Sequence, residues 1–245
     1  MGSEPWFFAP ADDWLSSEIT LPADESHHAL RVMRVGPPDV VTISDGAGRV
    51  ARAAVKGDLE GRVVAEILEQ KTHRPPRPRV AVYQGAAKGH KVDDAVERLA
   101  ELGVSETWVY SSARSVVRWD DDKAQKRGER WRTIARSAAK QSRSPFVMET
   151  GAALSWTELV RRVTREQLPI VLWEEATLPL RTALLKEPDR IALVVGPEGG
   201  LTRDEAEELA TAGAQLVSLG PRILRTENAP IVAVSALLYH YGLIG

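Results

Sequence analysis

The sequence predicts an α/β protein, a mostly parallel sheet covered by helices on both faces and preceded by a small all-β domain. Three observations carry this. Short apolar runs alternate with turn signals over residues 38–69, three prolines interrupt the chain over 71–79, and strands alternate with helices from residue 79 onward. The expected division is 1–70 for the β domain, 71–79 for a linker and 80–245 for the α/β domain.

In the first region "DVVTIS", "RVARAAV" and "GRVVAEIL" read as short strands separated by "DGAGR" and "KGDLEG", the rhythm of a small barrel or sandwich. "KTHRPPRPR" supports neither helix nor central strand and suits an extended connection. "RVAVYQGA" (79–86) then reads as a buried strand. "KVDDAVERLAELGV" places Val92, Val96, Leu99 and Leu102 at helical spacing, with Gly103 as a stop. "TWVYSS" (107–112) is a second strand. A long helix is expected over 121–142, with Trp131, Ile134, Ala135 and Ala138 on its apolar side and Trp131 in the core. "PIVLWEEA" (169–176), "RIALVVG" (190–196) and "AQLVSLG" (214–220) are three more strands. Between the last two, Thr202 and Glu205 form a capping-box start and Gly213 a helix end. "NAPIVAVSALLYHYGLIG" is an apolar final helix with Pro230 in its first turn.

Two loops match. "LVVGPEGG" ends one strand with Gly196-Pro197, and "VSLGPRILRTENAP" ends the next with Gly220-Pro221. Both leave the carboxyl edge of the sheet, where open α/β folds bind ligands. Neither is a phosphate loop: G-x-x-x-x-G-K-[ST] is missing, "GPEGG" does not fit G-x-G-x-x-G, and Glu198 would repel an anion. The loops suit a ligand that is apolar, hydrogen-bonding or cationic; the plainer alternative is a pair of tight strand-to-helix turns.

Composition excludes some functions. Cysteine is absent, which removes disulfides, thiolate nucleophiles and cysteine-based metal sites, and with only 5 dispersed histidines no metal is expected. No run of about 20 apolar residues reads as a membrane span, and "MGSEPWFFAP" lacks the basic start and apolar core of a secretion signal, so a cytoplasmic protein is expected. The net charge of −2 is unevenly spread: residues 1–70 hold 6 Lys/Arg against 12 Asp/Glu, whereas 114–143 holds 10 against 4. A basic stretch of this kind is either a solvated helix face or a nucleic-acid footprint.

The paired motifs "LVVGPEGGLTRDE" and "LGPRILRTENA" resemble the signature of the bacterial 16S ribosomal RNA uridine N3-methyltransferases of the SPOUT superfamily. "KGHKVDDAVERLAELGV", "SSARSV", "WRTIARSAAKQSRSPFV" and "HHALRVMRVGPPD" are similar to further segments of that family, so the likeness runs through most of 27–245. The resemblance implies a SPOUT-type parallel sheet with a C-terminal trefoil knot, a PUA-like β-barrel domain before it, S-adenosylmethionine as methyl donor, 16S rRNA of the small ribosomal subunit as partner, and a homodimer. It implies donor binding by the main chain of Leu172, Gly196, Gly199, Gly200, Leu219, Gly220, Ile223 and Leu224. The polar candidates are Arg225, Glu198, Arg114 and Glu227. The two arginines could bind RNA phosphate or polarise a uracil carbonyl, with an ion pair to Glu227 or another carboxylate as their plainer role. Glu198 could accept a proton, with helix capping as its plainer role. Arg31, Arg34 and Arg143 are candidates for RNA phosphate contacts, Gln141 for the donor pocket or RNA, and His27 and His28 for RNA or a turn. The chain departs from the family pattern at "PWFF", where Trp6 stands in place of an arginine, and at "RTENAP", where Asn228 is expected to supply a polar cap. A non-catalytic RNA-binding protein of this fold, and a methyltransferase for another RNA base, are the competing readings.

Overall fold

A computed structural model of the chain describes residues 4–15, 17–117 and 119–245. Residues 1–3 of "MGSEPWFFAP" and Arg118 of the basic stretch lie outside the described residues. The chain divides into two compact units, 1–75 with 139–147, and 76–138 with 148–245.

The first unit is built on five strands, β1 (Trp6–Phe8), β2 (Glu18–Thr20), β3 (Val40–Ser44), β4 (Arg49–Leu59) and β5 (Arg62–Thr72). Their order is β1-β3-β4-β5-β2, with β1 and β3 parallel and the other pairs antiparallel. The sheet is therefore mixed. Period-two alternation explains the core: Val41 and Ile43 of β3 and Ala51, Ala53 and Val55 of β4 pack with Phe7, Ile19 and Leu21. A short helix not expected from the sequence, α1 (Ala23–His27), widens into a π-helical turn over His28–Met33 and closes with Arg34 in the left-handed conformation.

The stretch 71–79 carries strand residues only at its two ends. Lys71 and Thr72 complete β5, and Arg79 opens the next strand. Residues 139–147, expected within the α/β domain, pack instead with the first unit. Gly48 donates its N–H to the Pro145 carbonyl at 3.0 Å, and Val147 donates to Gly46 at 2.9 Å. Gly48 has φ +112, and a Cβ there would meet the Phe146 ring at 2.7 Å, so only glycine lets this aromatic pack on the turn. Lys140 ion-pairs with the buried Glu25 at 2.6 Å and lies 5.0 Å from the Phe7 ring centre.

The second unit is a five-stranded, wholly parallel sheet of order β10-β8-β9-β6-β7, formed by β6 (Arg79–Gly85), β7 (Glu106–Tyr110), β8 (Leu168–Leu172), β9 (Arg190–Val195) and β10 (Gln215–Val217). Alternate residues feed two cores. Val80, Val82, Ile191, Leu193 and Ile170 face α2 (Lys91–Glu101), α3 (Asp121–Ser142) and α6 (Ala229–His240). Ala81, Tyr83, Ala192, Val194 and Val171 face α4 (Trp156–Val163) and α5 (Arg203–Thr211). Both faces are covered, as parallel sheets require. Helix α4, also unforeseen, carries a capping box of Ser155 and Glu158. The capping box read at Thr202 and Glu205 starts α5. At α6 the reading differs. Pro230 sits in the first turn, but Asn228 makes no capping hydrogen bond.

Trp131 of α3 is fully buried and donates its indole N–H to Asp93 of α2 at 3.0 Å, while Arg130 donates to the same carboxylate at 2.8 Å. Trp131→Ala should therefore cost about 3–5 kcal/mol in urea unfolding. Trp131→Phe, which keeps an aromatic ring and loses the donor, should cost clearly less; equal losses would show that the hydrogen bond, not the packing, holds α3 in place.

Candidate methyl-donor site

Strands β10, β8 and β9 are neighbours and all point the same way, so the segments that follow them emerge together. These segments, 173–179, 196–202 and 218–228, border a cavity of 840 Å³ that Lys91 also lines. All eight residues proposed for the donor line it: Leu172, Gly196, Gly199, Gly200, Leu219, Gly220, Ile223 and Leu224.

The close approaches explain the glycines. A Cβ on Gly85, the last residue of β6, would overlap the backbone of Gly196 and Pro197. Gly200 has φ +70, and a side chain there would run into the Glu174 carboxylate. The Gly200 N–H closes the turn on the Pro197 carbonyl at 2.9 Å. Two buried side chains hold the end of β9. Tyr110 donates its hydroxyl to the Val195 carbonyl at 3.0 Å, and Thr226 donates to the Gly196 carbonyl at 2.7 Å. Burial, with the nearby Glu205 adding to it, pushes the Tyr110 phenol well above its ordinary range, so it remains a donor.

The polar candidates separate. Arg225 lines the cavity and is exposed, and its guanidinium makes no hydrogen bond or ion pair among the described residues. Glu198 also lines the cavity, but it neither caps a helix nor stands free: Lys91 of α2 binds it at 2.6 Å, and the Lys88 N–H approaches at 3.4 Å. That hydrogen bond from Lys91 holds the Glu198 carboxyl below its ordinary 4.5 and outweighs the opposing effect of burial. Arg114 is not in the lining. Rather than the carboxylate partner of its plainer reading, it binds the Gly199 and Leu201 carbonyls, donating to both at 3.2 Å, and so braces the loop from outside. The neighbouring Ala113 N–H is held by Glu205 at 2.7 Å. Glu227 has a buried carboxylate oxygen without a partner among the described residues and pairs with neither arginine.

Gln141 and Arg143 do not line the cavity; both are exposed and belong to the segment that packs with the first unit. Arg31 and Arg34 are exposed in the first unit, on and just after the π-helical turn. His28 meets the Phe7 ring edge-on at 6.3 Å. Trp6 is half-buried in β1. Among the described residues no group of three or more His, Cys, Asp or Glu has metal-binding geometry.

Sequence reading missed Lys91, Trp173, Glu174 and Thr226, which all line the cavity. "PIVLWEEA" was expected to be strand to its end, whereas β8 stops at Leu172 and releases Trp173 and Glu174 into the site. The signal for Thr226 lay in its two flanking charged neighbours, both already candidates.

The family description "RNA methyltransferase domain" matches residues 74–238, and "RNA methyltransferase PUA domain" matches 21–68. A ribosomal RNA small subunit methyltransferase E of Mycobacterium tuberculosis is 38% identical over 218 residues, covering 87% of this chain and 83% of that one. The Bacillus subtilis protein of the same name is 32% identical, covering 92% and 91%. This chain belongs to the ribosomal RNA small subunit methyltransferase E family. A crystal structure of a Neisseria gonorrhoeae member bound to S-adenosyl methionine superposes with a TM-score of 0.87 at 30% identity, covering 97% of this chain and 98% of that one. The α/β fold with its parallel sheet, and the PUA domain, are thus properties this chain shares with the family.

Two measurements test the local geometry. Gly85→Ala should lose about 1–3 kcal/mol of stability in denaturant titration, since its new methyl meets main chain that cannot swing away; an unaltered midpoint would refute the close approach. Lys91→Met should move the Glu198 titration up toward 4.5, followed by carboxyl carbon NMR. Glu198 is lowered in the folded state, so its pairing stabilises above the ordinary carboxylate range and is lost as pH falls through the lowered value. Wild-type and Lys91→Met stability curves should accordingly converge in acid and separate above it.

Proposed function

We propose that the protein transfers a methyl group from S-adenosylmethionine to N3 of a uridine in 16S ribosomal RNA of the small subunit, acting in the cytoplasm as a homodimer whose C-terminal loops form a trefoil knot. The observation that carries this reading is the convergence of three main-chain loops on one cavity at the carboxyl edge of a parallel sheet, in a chain of this family.

The cavity fits the donor chemically. Backbone N–H and C=O groups of 196–200 and 218–224 can meet an adenine and ribose. The carboxylate of Glu174 supplies negative charge for a cationic ligand, and the apolar Leu172, Leu219 and Leu224 offer contact for its uncharged parts. S-adenosylmethionine supplies an electrophilic methyl group when bound.

The chain's own residues then have to present uracil N3 in line and favour loss of its proton. Glu198 is a weak candidate for the base, because its pairing with Lys91 favours the ionised, proton-poor form. Arg225 suits another role, since its unpaired guanidinium at the cavity can stabilise the oxyanion that develops on a uracil carbonyl as N3 is deprotonated. Arg114 supports this arrangement by holding the 199–201 main chain. Arg31 and Arg34 of the first unit, and Arg143, are exposed cations for RNA phosphates. A homodimer is supported by the exposed apolar side chains Ile223, Val232 and Tyr239, surface that a second copy would cover. Among the described residues no helix is long and apolar enough to cross a membrane.

Purified protein incubated with unmethylated small subunits and labelled donor should yield 3-methyluridine by nucleoside mass spectrometry, and Arg225→Ala should slow turnover by about 10²-fold or more. Methylation of another base, or none, would reject the assignment.

A further inference from the structure

Gln84 is the penultimate residue of β6, 1% exposed, and paired in register with Val195 of β9. Its Nε2 donates to the Thr226 hydroxyl at 2.8 Å and to the Gly85 carbonyl at 3.2 Å. Thr226, itself buried, passes its single hydroxyl proton to the Gly196 carbonyl at 2.7 Å. A hydroxyl has one proton, so the direction of the relay is determined: Gln84 gives, Thr226 accepts and gives, Gly196 accepts. Both amide protons of Gln84 are thereby engaged, while its Oε1 is buried with no partner among the described residues. An apolar side chain would strand no acceptor here. What glutamine adds is the donor to Thr226.

Gly196 and Thr226 belong to different loops and both line the cavity; Gln84 does not. We infer that Gln84 is a positioning residue which, through Thr226, clasps the 196–201 and 218–228 loops at the separation the methyl donor requires. This rests on the donor-binding reading above. A hydrogen bond accepted from Gln84 polarises the hydroxyl and strengthens its bond to Gly196, so the clasp needs both members. Tyr110 fixes the adjacent Val195 carbonyl independently, which leaves the fold intact when the clasp is opened.

The test uses full-length protein, calorimetric titration with S-adenosylmethionine, and steady-state assays on small subunits. Thr226→Val should weaken donor binding and raise donor KM about tenfold, the scale of one hydrogen bond, with KM for the subunits unchanged. Thr226→Ser, which restores the hydroxyl, should bind the donor within about threefold of wild type. Gln84→Met should reproduce the Thr226→Val loss, and the double variant should be no worse than either single, since both changes break the same Gln84–Thr226–Gly196 relay. Donor binding by Thr226→Val equal to wild type, or losses that multiply in the double variant, would overturn the clasp. The two readings fail differently: wild-type protein that does not bind S-adenosylmethionine removes the donor assignment and the clasp with it, whereas wild-type binding matched by Thr226→Val removes the clasp alone.

Discussion

The site depends on one steric constraint, the approach of Gly85 to the Gly196–Pro197 main chain. Strands β6 and β9 are parallel neighbours, so their ends arrive side by side, and a side chain on Gly85 would push the outgoing loop away from the sheet. With no Cβ there, the loop folds back across the strand end. Gly200 can then turn against Glu174, and Gly199 can rest on Arg114.

A loop held this closely exposes its carbonyls to burial, and buried carbonyls need donors. The donors come from distant parts of the chain: Tyr110 for Val195, Thr226 for Gly196, Arg114 for Gly199 and Leu201. The hydrogen-bonding demand of the glycine turn thus recruits β7, the 111–117 segment and the 218–228 loop into a single support. The same sharing appears at Glu205, whose carboxylate completes the α5 capping box and also holds the Ala113 N–H.

Electrostatics divide the cavity's charged groups by function. Lys91 neutralises Glu198, which turns a candidate base into part of the scaffold. Arg225 has no ion-pair partner among the described residues, and the Glu174 carboxylate lies beside the glycine turn. The Lys91–Glu198 pair takes one charge of each sign out of play, which leaves Arg225 and Glu174 as unpaired charges of the lining among the described residues.

Local pattern in the sequence determined the alternation of strands and helices, the limits of α3, the capping box at Thr202 and the two Gly-Pro loops at one sheet edge, because each is a matter of period, cap or φ preference over a few residues. The eight positions that line the cavity were named by resemblance to the family, and the glycines among them report backbone geometry directly. Only tertiary structure decided what the polar side chains do. Arg114 binds carbonyls, Glu198 binds Lys91, and Gln84 reaches Thr226 across 142 residues of chain, and none of these partners is implied by spacing. The return of 139–147 to the first unit, and the end of β8 at Leu172 that frees Trp173 and Glu174, were likewise settled by packing. A side chain's hydrogen bond is chosen by whatever unsatisfied group the fold brings within about 3 Å, and that choice exists only after the chain has closed on itself.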